Sequence, residues 1–138
     1  MEDVLAEKRA DVSTADLDFT HLNKTAAMIE ASLVMGGLIG GASEPALETL
    51  RAAGRSTGLA FQIVDDILDA TADTATLGKT AGKDARAGKA TYVRIHGLEA
   101  SRRIAREHTA AALASLDRLP GDRTFLRALI ASMAARGA

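Results

Sequence analysis

Apolar positions along the chain recur at three- and four-residue spacing rather than in alternation, and that period sets out a series of helices. The clearest stripe runs through Leu47, Leu50, Gly54, Gly58 and Phe61. It marks the buried face of a helix reading without interruption from 44 to about 70, roughly 40 Å at 1.5 Å per residue. Ser43 is its candidate N-cap, and Pro45 falls in its first turn, where a missing N–H costs nothing. Upstream, Ser13 and Thr14 offer caps for a helix over about 15 to 37, and Ile39-Gly40-Gly41-Ala42-Ser43 breaks the chain. Residues 1–13 form a short charged segment, read as the end of a helix that starts further upstream. After the long helix come a polar, glycine-punctuated loop over 71–88, a short helix near Tyr92 and a longer one at about 98–118. Pro120-Gly121 then breaks the chain before a last helix at about 122–135. No run sustains the alternation a strand needs, so the expected class is all-α, a helical bundle.

Composition sharpens this picture. Alanine and glycine are abundant and only Phe19, Phe61, Tyr92 and Phe125 are aromatic, which favours closely packed helices over sheets. A length of 138 residues fits one ordinary domain or part of a larger one. The net charge of −1 gives no global field toward nucleic acid or an anionic membrane. Cysteine is absent, which excludes disulfides and thiolate chemistry. No stretch is long and apolar enough to span a bilayer and the N-terminus lacks a signal-peptide pattern, so a cytoplasmic protein is the expectation.

Local charge is uneven, and the candidate chemistry lies there. Extending the stripe past Phe61 reaches Asp65 and Asp69, and Asp65, Asp66 and Asp69 share an arc of about 100° on the face expected to be inside. Buried like charges repel and lose hydration, a conflict that a divalent cation resolves. Magnesium takes oxygen ligands and is typically shared between one or two carboxylates and a substrate phosphate. A solvated acidic helix end is the commoner reading of a bare DDxxD. The apolar stripe favours metal, as does the helix C-terminus, where carboxylates oppose the macrodipole.

Downstream, Lys79, Lys83 and Lys89 stand among glycines in a segment that suits phosphate oxygens. It is not a Walker loop: Gly78 to Gly82-Lys83 is one residue short, Asp84 follows, and a helix precedes. Lys83 and Arg86 are equally read as a solvated basic loop. Lys24-Thr25 is the third element, with Thr25 on a stripe with Leu22, Ile29 and Leu33, so that Lys24 borders a packed face. Alone, Lys24 would read as a snorkelling lysine. His21, His96 and His108 form no metal-ligand pattern and read as surface or capping residues.

Together these segments resemble the C-terminal half of a trans-prenyl (polyprenyl) diphosphate synthase of the bacterial farnesyl or geranylgeranyl type. The resemblance rests on His21-Leu22-Asn23-Lys24-Thr25-Ala26, on Gly58-Leu59-Ala60-Phe61-Gln62-Ile63-Val64-Asp65-Asp66-Ile67-Leu68-Asp69, on Asp73 through Lys79, and on Gly88-Lys89-Ala90-Thr91-Tyr92, in order and over essentially the whole chain. It implies that residues 1–138 are a single partial domain, the C-terminal part of an isoprenoid-synthase fold. It further implies that Asp65, Asp66 and Asp69 form the second aspartate-rich motif and help bind magnesium. Lys24, Lys79 and Lys89 would grip the allylic diphosphate, Thr25 and Gln62 would line the cavity near the reacting carbons, and Asp84 would support the metal and lysine network. The implied partners are an allylic diphosphate and isopentenyl diphosphate, with a homodimer or the missing N-terminal half completing the enzyme.

Two departures stand out. No first aspartate-rich motif precedes these segments, and Asp3 alone matches the end of the family's Gly-Gln-x-x-Asp. Val93 stands where many relatives place a proline after the tyrosine. The isolated chain is therefore expected to expose apolar faces, to self-associate and to lack turnover by itself. A non-catalytic helical module, a truncated product or a partner subunit, is the alternative reading.

Overall fold

The computed structural model describes residues 13–76 and 90–137, with side chains described at 13–72 and 90–137. Helix α1 spans Thr14–His21 and runs through a π turn, Leu22–Ala26, into α2, Ala27–Ile39. Then follow α3 (Glu44–Thr76), α4 (Tyr92–His96), α5 (Leu98–Asp117) and α6 (Thr124–Ala135). No strand occurs among the described residues, and no described helix is long and apolar enough to cross a membrane.

The helix ends form for local reasons. Ser13 closes a capping box with Asp16: its hydroxyl accepts from the Asp16 N–H at 3.3 Å, and the Asp16 carboxylate accepts from the Ser13 N–H at 3.0 Å. Helix α2 stops in a Schellman turn, with Ala42 N–H donating to the Gly37 carbonyl at 2.9 Å and Gly41 N–H to Leu38 at 3.1 Å. Gly41 takes the required positive φ of 72°, which a side chain would strain. Helix α3 continues to Thr76, past the end near 70 that the polar sequence suggests.

The π turn departs from the uniform helix expected over 15–37, and burial explains it. Leu17 and Ala26 are both buried yet nine residues apart, roughly half a turn out of phase in a regular α-helix. A π turn carries one extra residue and brings both onto the packed side.

Helix α3 is central, and every other described element packs on it. At one end Leu17, Ile63, Val64, Ile67, Tyr92 and Ala105 join α1, α3, α4 and α5 in one core cluster. At the other, Ala53, Ala112, Leu116 and Ile130 join α3, α5 and α6. Helix α2, by contrast, buries no residue fully, and Met28, Met35, Leu38 and Ile39 stay exposed along it. Exposed apolar faces thus occur as the sequence leads one to expect.

Two of the three histidines pack against the first residue of α4. Tyr92 is 1% exposed, with the His21 ring stacked against it and the His96 ring tilted to it, each ring centroid 5.8 Å away. Asp18 on α1 is half-buried and its Oδ1 has no hydrogen-bond partner. Burial pushes its carboxyl above the ordinary 3.8, against smaller opposite pulls from His108 and His96. The folded chain therefore holds a proton on Asp18 at a pH where the unfolded chain has lost it. Stability from this group is present below 3.8 and falls as pH rises through the raised folded value. Asp18→Asn should abolish that fall: thermal melts from pH 3 to 7 should show the variant gaining on the parent as pH rises, and parallel profiles would count against this.

Candidate active site

Two glycines four residues apart build the frame of the site. A Cβ on Gly58 would lie 2.3 Å from Ala26 Cα, and one on Gly54 would lie 2.5 Å from Glu30 Cα. The chain carrying Lys24 and Thr25 therefore meets α3 so closely that neither Gly54 nor Gly58 has room for a side chain. At the same crossing Arg55 donates to both Glu30 oxygens, Nε at 2.8 Å and Nη2 at 3.3 Å. Lys24 is exposed and Thr25 half-buried within the π turn, a helix irregularity often found at functional sites. Gln62, half-buried, follows Gly58 by one turn of α3, and the aspartates begin one turn later.

The three aspartates do not share one environment. At 100° per residue Asp69 falls about 40° from Asp65, whereas Asp66 lies about 100° away. Asp66 is the buried one, 7% exposed, and its Oδ2 accepts the Tyr92 N–H at 2.9 Å. Asp65 is half-buried, with Oδ1 3.7 Å from Arg136 Nη2, and Asp69 is exposed. The inward face expected for all three therefore holds for Asp66 alone. Phe61 is likewise only half-buried, because the tightly packed stripe shifts to Ile63, Val64 and Ile67 past Gly58.

The donor chemistry decides what a metal would find. Among the described residues no group of three or more acidic or histidine side chains is arranged to hold an ion. Asp65 and Asp69, one helical turn apart, provide two carboxylates on the accessible side. Two carboxylates suit a magnesium that completes its shell with water and phosphate oxygens, and do not suit an all-protein cage. Asp66 instead ties α3 to the first turn of α4, three residues beyond Lys89. Lys79, Lys83, Asp84, Arg86 and Lys89 lie outside the described residues.

Two contacts here had no signal in the sequence pattern. Arg136, just past α6, approaches Asp65 and places its guanidinium 5.6 Å from the Phe61 ring centroid. Tyr92 supplies through its backbone the donor that holds Asp66, and no residue type encodes a backbone N–H. Its hydroxyl is buried without a hydrogen-bond partner.

Comparison with known proteins finds relatives of the whole chain. Geranylgeranyl pyrophosphate synthase 11 of Arabidopsis thaliana, designated chloroplastic, is 56% identical over 95 residues, 69% of this chain and 27% of that protein. A decaprenyl diphosphate synthase from Rhodobacter capsulatus superposes with a TM-score of 0.84 at 27% identity, covering 99% of this chain and 55% of that one. A geranyltransferase from Helicobacter pylori, complexed with magnesium and isoprenyl diphosphate, superposes with a TM-score of 0.70 at 32% identity, over 95% of this chain and 43% of that one. The chain thus spans about a quarter of the Arabidopsis relative and about half of the solved enzymes. The family model described as polyprenyl synthetase matches residues 1–120, most of the sequence, and so the chain belongs to the polyprenyl synthetase family.

Proposed function

We propose that this chain supplies the second aspartate motif and diphosphate-binding lysines of a chain-elongating prenyltransferase, one that condenses isopentenyl diphosphate with an allylic diphosphate. The observation that carries this reading is the crossing at Gly54 and Gly58, which sets the Lys24-Thr25 turn directly against the helix bearing Gln62, Asp65, Asp66 and Asp69. Family membership and the magnesium and isoprenyl diphosphate held by the Helicobacter pylori relative support it.

In the proposed reaction the allylic carbon–oxygen bond breaks, the isopentenyl double bond forms the new carbon–carbon bond at that carbon, and a proton leaves. Magnesium, when bound, supplies positive charge to the departing diphosphate. Asp65 and Asp69 would hold it on the accessible side of α3, while Asp66 fixes the start of α4 and hence the chain leading back to Lys89. Lys24, Lys79 and Lys89 bind diphosphate oxygens and offset the charge that grows there. Thr25 and Gln62 border the reacting carbons, and Asp84 orients the lysines. The proposal keeps the cytoplasmic setting expected from the sequence; the chloroplastic designation is the Arabidopsis protein's own.

We further read residues 1–138 as one part of a larger prenyl synthase domain, whose remaining helices, or a second copy, cover the exposed face of α2. The test is incorporation of labelled isopentenyl diphosphate into longer products. The 138-residue chain alone should give none, and adding a polypeptide that carries the preceding part of a family member should give magnesium-dependent product. Robust turnover by the chain alone, or none in the mixture under conditions where the two parts associate, would count against this reading.

A further inference from the structure

A second concave site lies on the other side of α3. Between α3, α5 and α6 lies an open-mouthed cleft of about 260 Å³, just under the roughly 300 Å³ at which small-molecule pockets begin. Its floor is apolar, formed by Val64, Ile67, Ala105 and Leu113. None of the described candidate-site residues lines it: Lys24, Thr25, Gln62, Asp65, Asp66 and Asp69 all lie elsewhere.

Charge at this cleft is one-sided. Arg102 and Arg106, one turn apart on α5, both border it, and no acidic residue is among its described lining. Like charges at this spacing repel, so the pair gains nothing from its own helix. Neighbouring Arg103 pairs with Glu107 at 3.6 Å, whereas neither Arg102 nor Arg106 forms an ion pair with a described residue. The Nε of Arg102 is buried without a hydrogen-bond partner, a donor whose desolvation nothing in the described chain offsets. Thr109 does not compete for a ligand, because its hydroxyl donates to the Ala105 carbonyl at 2.8 Å.

We propose that this cleft binds a small single-chain amphipathic anion, a carboxylate or phosphate monoester. Its head sits on Arg102 and Arg106 and its tail lies against Val64, Ile67 and Leu113. Guanidinium groups match both head groups through paired N–H donors, and an apolar floor of this size takes a short hydrocarbon chain. The site is separate from the diphosphate site and needs no magnesium.

The test is methyl-detected NMR of the 138-residue chain in EDTA, titrated with octanoate, octyl phosphate and the neutral match octanol. Saturable shifts centred on Val64, Ile67 and Leu113, tighter for at least one anion than for octanol, are expected. R102Q/R106Q should weaken the anions at least tenfold and leave octanol unchanged. Shifts that do not saturate, that centre on Met28 and Ile39, or that are equal for anion and alcohol in the parent chain would overturn the proposal. The parent titration decides this even where the double variant does not fold, because it locates the ligand and reads its charge preference without a substitution.

Discussion

Gly58→Ala is expected to destabilise the chain by about 2–3 kcal/mol, lowering the melting temperature by roughly 10 °C, although alanine is the better helix former. Propensity alone would gain about 1 kcal/mol for this change inside a helix. The new Cβ, however, would lie 2.3 Å from Ala26 Cα and 2.4 Å from Ala26 Cβ. No rotamer change relieves a contact with backbone, so the π turn must move away from α3. Gly36→Ala provides the opposite sign. It makes the same replacement in α2, where a Cβ meets nothing within 4 Å, and should stabilise by up to about 1 kcal/mol. Melts of the two variants side by side separate packing from propensity. Equal shifts in one direction would show that the close crossing does not govern this helix pair.

Asp66→Ala should show the second large effect, through both stability and ligand binding. The substitution removes the acceptor of the Tyr92 N–H at 2.9 Å in a buried setting. Leaving a buried donor unpaired costs about 1–3 kcal/mol. It also releases the start of α4, whose own capping consists of Thr91 accepting from the Arg94 N–H at 3.2 Å. Asp66→Asn retains a carbonyl oxygen for Tyr92 but loses the negative charge. Asparagine should therefore keep most of the stability that alanine loses. A melting temperature for Asp66→Asn as low as that for Asp66→Ala would mean that charge, rather than the hydrogen bond to Tyr92, holds this junction.

The helices were legible wherever a residue's backbone chemistry decides the local conformation. Ser13 at a cap, Gly40-Gly41 at a Schellman turn and Pro120-Gly121 at a break each constrain the chain within a few residues, and the structure follows them. Gly54 and Gly58 were legible as a packed face, because small residues at helical spacing permit close approach. The π turn was not, since it answers to the joint burial of Leu17 and Ala26, a demand made by α3 rather than by the segment itself. The same limit applies to the aspartates. Their shared arc follows from spacing, but which one turns inward depends on where Tyr92 and Arg136 arrive from distant positions. Spacing ranks neighbours along one helix and cannot name the partner that a second helix brings.

Calorimetry of this chain with a non-hydrolysable allylic diphosphate analogue, with and without magnesium, reads the proposed metal–diphosphate site itself. Saturable binding is expected that requires magnesium and is lost in Asp65→Ala, a substitution at a half-buried position that leaves the Asp66–Tyr92 bond in place. Binding that is indifferent to magnesium or to Asp65→Ala, or no saturable binding at all, would contradict the proposal.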